Sequence, residues 1–152
     1  MAQTRPRVVI RDRGALALLA KLREPVLQAQ VGVQGAEAAA PAQRTNRSVG
    51  EIAGIHEYGV GVPRRAWLSS WCDANEARIL EAMRVGGLKM LSLTGTARGA
   101  LETIGREAME GIKAGIEAGI GAPVDGRTPL IETGQLLKSI TAVVTKAPGG
   151  RR

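Results

Sequence analysis

Gly54-Ile-His-Glu-Tyr-Gly-Val-Gly-Val-Pro-Arg-Arg-Ala-Trp-Leu-Ser-Ser-Trp71 decides how this chain is read. It holds the only His (His56), the only Tyr (Tyr58) and both Trp residues (Trp67, Trp71) of a chain without Phe. A helix-compatible run from Val49 to Tyr58 stops at Gly59, which suits the left-handed position after a helix C-terminus. A Gly/Pro turn follows. Pro63 fits the start of a second helix, where its missing N–H costs nothing. Trp67 and Trp71, four residues apart, would then share one helical face. The segment reads as helix, elbow, helix, pinned by aromatics.

Upstream, Val8-Val9-Ile10 is a β-prone run between arginines, and Ala15 to Arg23 carries Leu16, Leu19 and Leu22 along one side of a short helix ended by Pro25. From Val26 to Val33 apolar and polar residues alternate, which predicts a strand with one buried face (Leu27, Ala29, Val31, Val33). Gly35 to Ser48 has no periodicity and reads as an exposed polar loop or arm.

Downstream, a long helix is expected from Arg64 to about Arg84, with Leu68, Trp71, Ile79, Leu80 and Met83 on its apolar side and Gly86-Gly87 weakening its end. A second spans Ala97 to Ile120. There Ile104, Ala108, Ile112, Ile116 and Ile120 recur every fourth residue, beside a row of Gly111, Gly115 and Gly119 that would let a neighbour approach closely. After a Pro/Gly turn, a short helix over Glu132 to Leu137 leads to a strand over Ser139 to Ala147, beside Val26 to Val33. Residues 1–147 form one domain in this reading, with 148–152 a flexible basic tail. The fold class is α+β: a small, mostly antiparallel sheet packed against two long helices.

The net charge of +7 and the dominance of Ala and Gly among apolar residues describe a basic domain with a thin core. Such a surface suits an acidic partner, nucleic acid included. A single Cys (Cys72) excludes a disulfide framework. No apolar run approaches the ~20 residues of a membrane span, and arginines interrupt any signal-peptide pattern.

Chemistry is largely excluded. His56-Glu57 lacks the second His of a zinc-protease helix, because position 60 is Val. One His and one Cys do not make a metal site, and Cys72, expected on the apolar face near Trp71, reads as a buried, inert thiol. The Gly59 to Arg64 turn lacks the third Gly of a dinucleotide loop, and no phosphate-loop Lys follows a Gly run. We expect no enzyme, no metal and no cofactor. Arg5, Arg7, Arg11, Arg13, Arg44, Arg47, Arg64 and Arg65 could neutralise phosphates, but aromatic stacking platforms and recognition-helix patterns are absent.

Two blocks carry a resemblance. His56-Glu-Tyr-Gly59 followed by Val62-Pro-Arg-Arg-Ala-Trp-Leu68, and Pro129-Leu-Ile-Glu-Thr-Gly-Gln-Leu-Leu-Lys-Ser-Ile140, resemble in order and spacing two motifs of the tail-completion or neck proteins of long-tailed bacteriophages. Ala66-Trp67 stands where that family more often has Pro-Phe. The resemblance implies a structural virion protein that joins tail to head. It would be one copy of a homo-oligomeric ring that meets the portal or head–tail adaptor, the tail terminator and the tail tube, with non-specific contact to packaged DNA and no membrane. The chain would be located in the virion after assembly in the host cytoplasm. A tail terminator, or a non-specific DNA-binding protein, is the alternative.

On this reading His56, Glu57, Tyr58, Gly59, Pro63, Arg64, Trp67 and Trp71 build the elbow, with Glu57 either pairing with Arg64 or Arg65 or capping the turn. Arg5, Arg7, Arg11, Arg44, Arg47, Leu130, Ile131, Thr133, Gly134, Leu136 and Leu137 are candidates for assembly contacts. The arginine-rich start and the 35–48 loop would be arms that order on meeting neighbours.

Overall fold

The structure, a computed structural model, describes residues 14–43, 45–119 and 134–148. The Val8–Ile10 run, Arg5, Arg7, Arg11, Arg13, Arg44, Leu130, Ile131, Thr133, the 121–129 turn and most of the 148–152 tail lie outside those residues.

The alternating stretch forms β1 (Leu27–Val33) and pairs antiparallel with β2 (Ile140–Lys146), with Val31 opposite Ala142 and Val33 opposite Ile140. This is the pairing that the alternation of both segments calls for. A two-stranded sheet is marginal in water and needs a partner on one face. That partner is α5 (Ala97–Glu117), which crosses the Ala29, Val31 and Ala142 side of the sheet. At the crossing Gly105 is buried: a Cβ there would lie 3.4 Å from that of Ala142, so glycine permits the close approach. The 23-residue helix α4 (Ser69–Leu91) packs on α5 as the outer layer. The α+β class and the two long helices over an antiparallel sheet are therefore as expected.

The core lies where α5, the elbow and the start of β2 meet. Ile112, Ile116 and Ile140 are fully buried, among Val49, Ala53, Trp67, Trp71, Ala108 and Leu136. Each fully buried isoleucine contributes on the order of 2–3 kcal/mol of hydrophobic stabilisation. The glycine row has a definite use at Gly111. A Cβ at that position would come within 2.6 Å of the Trp71 ring, so the missing side chain is the seat of the indole.

Four expectations need correction. α4 does not begin after Pro63: residues 63–66 are non-helical and the helix starts at Ser69. It also runs on through Gly86-Gly87, because Gly86 faces Ala100 of α5 at a distance where a Cβ would collide (2.7 Å). Leu80 and Met83 lie on the exposed side of α4, since α5 covers only the Trp71–Ile79–Gly86 side. The 35–48 segment is built into the domain rather than left as an arm. It opens with the short helix α2 (Gly35–Ala39) and closes through a Pro41–Ser48 bridge. The Gln135 side chain ties it down, donating to the Pro41 carbonyl at 2.8 Å and accepting from the Gln43 N–H at 3.0 Å.

Candidate functional site

The elbow starts from a well-specified helix. α3 (Val49–Tyr58) opens with a capping box: Ser48 Oγ accepts from the Glu51 N–H, and the Glu51 carboxylate accepts from the Ser48 N–H. It closes at Gly59, with φ 74° and its N–H donating to the Ile55 carbonyl. Any Cβ at Gly59 would lie 2.9–3.1 Å from the Cβ, Cα and N of Arg64 as the chain doubles back. Gly59→Ala should therefore cost about 2 kcal/mol or more, from left-handed strain and from backbone crowding. Thermal unfolding checks this, and a loss below about 0.5 kcal/mol would mean the turn can relax freely.

Four sets of side-chain contacts lock the return. Glu57, buried, places its carboxylate at the start of α4, accepting from Leu68 N–H (2.9 Å), Ser69 N–H (3.1 Å) and Ser69 Oγ–H. Leu68 offers no cap of its own, so Glu57, eleven residues earlier, does the work of an N-cap. Arg64 Nε donates to the Glu57 carbonyl and its Nη2 to Ser69 Oγ. Trp67 is buried, its Nε1–H donating to the Ala53 carbonyl on α3 at 3.3 Å. Of the two roles foreseen for Glu57, the cap is the one realised, and it caps α4.

His56 and Arg65 form the fourth contact. Arg65 is buried, and its Nη1 donates to Nδ1 of His56 at 2.9 Å. The imidazole therefore accepts there and carries its proton on Nε2. Burial first, and the adjacent Arg65 charge second, push its pKa below the ordinary 6.5. The sign follows directly. The folded chain disfavours imidazolium, so stability is full above pH 6.5 and falls as pH drops through the depressed folded value. His56→Gln should flatten that decline, read as Tm against pH from 7 to 5, and leave the fold intact at neutral pH. A decline unchanged in His56→Gln would assign it to other groups. Arg65 Nε is buried without a hydrogen-bond partner, a cost of about 1–3 kcal/mol that the elbow carries.

Two elbow residues behave otherwise than expected. Tyr58 is 75% exposed and pins nothing; it projects from the tip with Val60 and Val62. Pro63 is exposed and lies six residues before the helix it was expected to start. Cys72 is exposed too, not buried, although partial desolvation and then the nearby Asp73 and Glu57 charges raise its pKa. A thiol so shifted is a weak nucleophile.

The second block packs against the first. Gly134, left-handed at φ 62°, begins α6 (Gln135–Ser139), and α6 contacts α3 before passing into β2. Leu136 is buried in the common core and Leu137 is half-buried against it. Leu136 is therefore a core residue and not a surface for assembly, which corrects its assignment as an interface candidate. Arg47 is exposed in the 35–48 segment.

Among the described residues no cluster of three His, Cys, Asp or Glu side chains could hold a metal, and no helix is long and apolar enough to cross a membrane. A groove of about 580 Å³ between α4 and α5 is lined mainly by small residues such as Gly86, Gly95, Gly99 and Ala100. Lys89, Thr96, Thr103 and Glu107 are its polar members, and neither His56 nor Cys72 lines it. No protein family, no curated protein and no solved structure matches this chain.

Proposed function

We propose that this chain is a structural virion protein of the phage neck, completing the tail and joining it to the portal or adaptor of the capsid as one member of a ring. The observation that carries the reading is the meeting of the two motif blocks. They lie about seventy residues apart in sequence, yet Trp67 from one and Leu136 and Ile140 from the other share a single core. The motif residues that resemble the neck family thus have architectural jobs. Glu57 caps α4, Gly59 turns, Arg64 and Trp67 tie the return, and Gly134 stands at the start of α6, which runs into β2. His56 is engaged by a guanidinium rather than by a nucleophile or a carboxylate, which favours a structural over a catalytic role.

The test is a phage carrying this gene disrupted. Filled heads and finished tails that remain unjoined, rescued by the gene in trans, would support the neck role. Normal virions, or tails of uncontrolled length, would overturn it, the latter in favour of a tail terminator. The non-specific DNA-binding alternative predicts instead a DNA mobility shift that weakens steeply with salt.

A further inference from the structure

β2 turns one edge to β1 and leaves the other open. The Ala147 N–H donates to the Val26 carbonyl at 2.9 Å, which fixes the phase of the ladder. With the observed register, Gln28 with Thr145, Gln30 with Val143 and Gly32 with Thr141 are then the hydrogen-bonded pairs. Ala142 and Val144 lie between them and point their N–H and C=O groups away from β1. Among the described residues these groups have no partner. Open edges are usually blunted by a proline, a bulge or a charge in mid-strand. From Ile140 to Thr145 β2 has none of these, and its one charge, Lys146, comes last.

A groove of about 380 Å³ lies beside Ala142, Val143 and Val144. Side chains alternate between the faces of a strand, so three successive residues line one groove only along the strand's edge. The opposite wall is α5, where Glu102, Arg106 and Met109 share one side of the helix. Leu101, Met109, Ala142 and Val144, all half-buried, make the lining largely apolar. The first helix, α1 (Ala15–Leu22), lines no part of it.

An open strand edge beside a helix is the arrangement in which an extended peptide adds as a further strand. The unpaired main chain therefore specifies the conformation of what binds, and the rim specifies its charge. Glu102 is already engaged by Arg98 at 3.7 Å. Arg106 in the groove, and Lys146 on the same face of β2 as Val144, have no ion-pair partner among the described residues. The chain's own extended runs suit this rim poorly. β1 has no acidic residue, and Val8-Val9-Ile10 stands between arginines.

We infer that this groove receives an extended, acidic segment of another protein, which pairs with β2 as a third strand. Alternate apolar side chains of that segment meet Leu101 and Met109, and a carboxylate meets Arg106. The site lies apart from the elbow and holds whether or not the neck reading does.

The probe is a fluorescein-labelled peptide of alternating valine and threonine between acidic ends, added to the full chain and followed by fluorescence polarisation. Saturable binding is expected, weakened by roughly tenfold or more when lysines replace the acidic ends. Arg106→Glu should weaken it about fivefold, as an exposed charge contact allows. Methylating the amide nitrogens of the valines, or instead those of the threonines, should abolish binding in one case only, because alternate amides face β2. Amide exchange by nuclear magnetic resonance gives the second readout. Ala142 and Val144 should exchange fast in the free chain and become protected with peptide, while Thr141 and Val143 stay as they were. No saturable binding, a lysine peptide that binds as well, or two methylated peptides that both bind would overturn the inference. So would Ala142 and Val144 amides left unprotected by the peptide, or already protected by self-association, which would give the edge to a second copy. None of these measurements involves phage components, so their failure leaves the neck reading to its own test.

Discussion

Trp67→Ala is expected to destabilise the chain by about 4 kcal/mol, a large part of the 5–15 kcal/mol typical of a domain. The ring is 3% exposed and fills the angle between α3 and the start of α4, among Val49, Ala53 and Trp71. Its removal leaves a cavity between segments that turn geometry holds apart, so collapse around the gap is hindered. It also orphans the Ala53 carbonyl, which takes the Nε1–H. Trp67→Phe separates the two contributions. It keeps most of the apolar area and loses the hydrogen bond, for a cost of about 1–2 kcal/mol. Urea unfolding followed by circular dichroism measures both. If Trp67→Ala costs less than about 1 kcal/mol, the elbow is not anchored by this ring, and the family-like Phe at this position would carry no packing meaning.

Much of this architecture was legible in the residues, for physical reasons that differ by element. β1 and β2 could be read because their apolar positions alternate with period two and one face is covered by a helix. The end of α3 could be read because only glycine sits at φ 74° without strain. The start of α4 could not, because its cap comes from Glu57 across a turn instead of from a local Ser, Asp or Asn. One signal was available: no capping residue precedes Leu68, while an acidic residue stands at the end of the preceding helix.

The 35–48 segment is exposed along most of its described residues, as read, but its short helix and its ties to the domain were missed for a related reason. Its order depends on Gln135, some ninety residues away, and on the Ser48–Glu51 box that closes it, and neither leaves a periodic trace. The solvent-facing Leu80 and Met83 of α4 misled in the opposite direction. Helical spacing identifies an apolar stripe but not what covers it, and α5 had already taken the other side of α4.

Glu57→Ala should cost about 3 kcal/mol, measured as a loss of stability at neutral pH. Three donors lose their acceptor, two of them backbone N–H groups at the mouth of a 23-residue helix. Hydrogen bonds to a charged group contribute roughly 1.5–3 kcal/mol each before water compensates any of them, and the carboxylate also loses its interaction with the helix dipole, about 0.5–1 kcal/mol. Glu57→Gln keeps the length and one acceptor oxygen but removes the charge and turns an amide N–H₂ toward an N–H donor. An intermediate loss of about 2 kcal/mol is expected. Pairing Glu57→Ala with Ser69→Ala then isolates the side-chain bond, with a coupling of about 1 kcal/mol because the two residues are in contact. A charge pair with Arg64 or Arg65 would behave differently. Arg64→Met would reproduce the Glu57→Ala loss, and added salt would erode it. The cap requires instead that Arg64→Met cost much less than Glu57→Ala, with the Glu57→Ala loss nearly independent of salt. In that case α4 is positioned by a residue on α3, and any force that opens the elbow also uncaps the outer helix, so the two halves of the motif move as one unit.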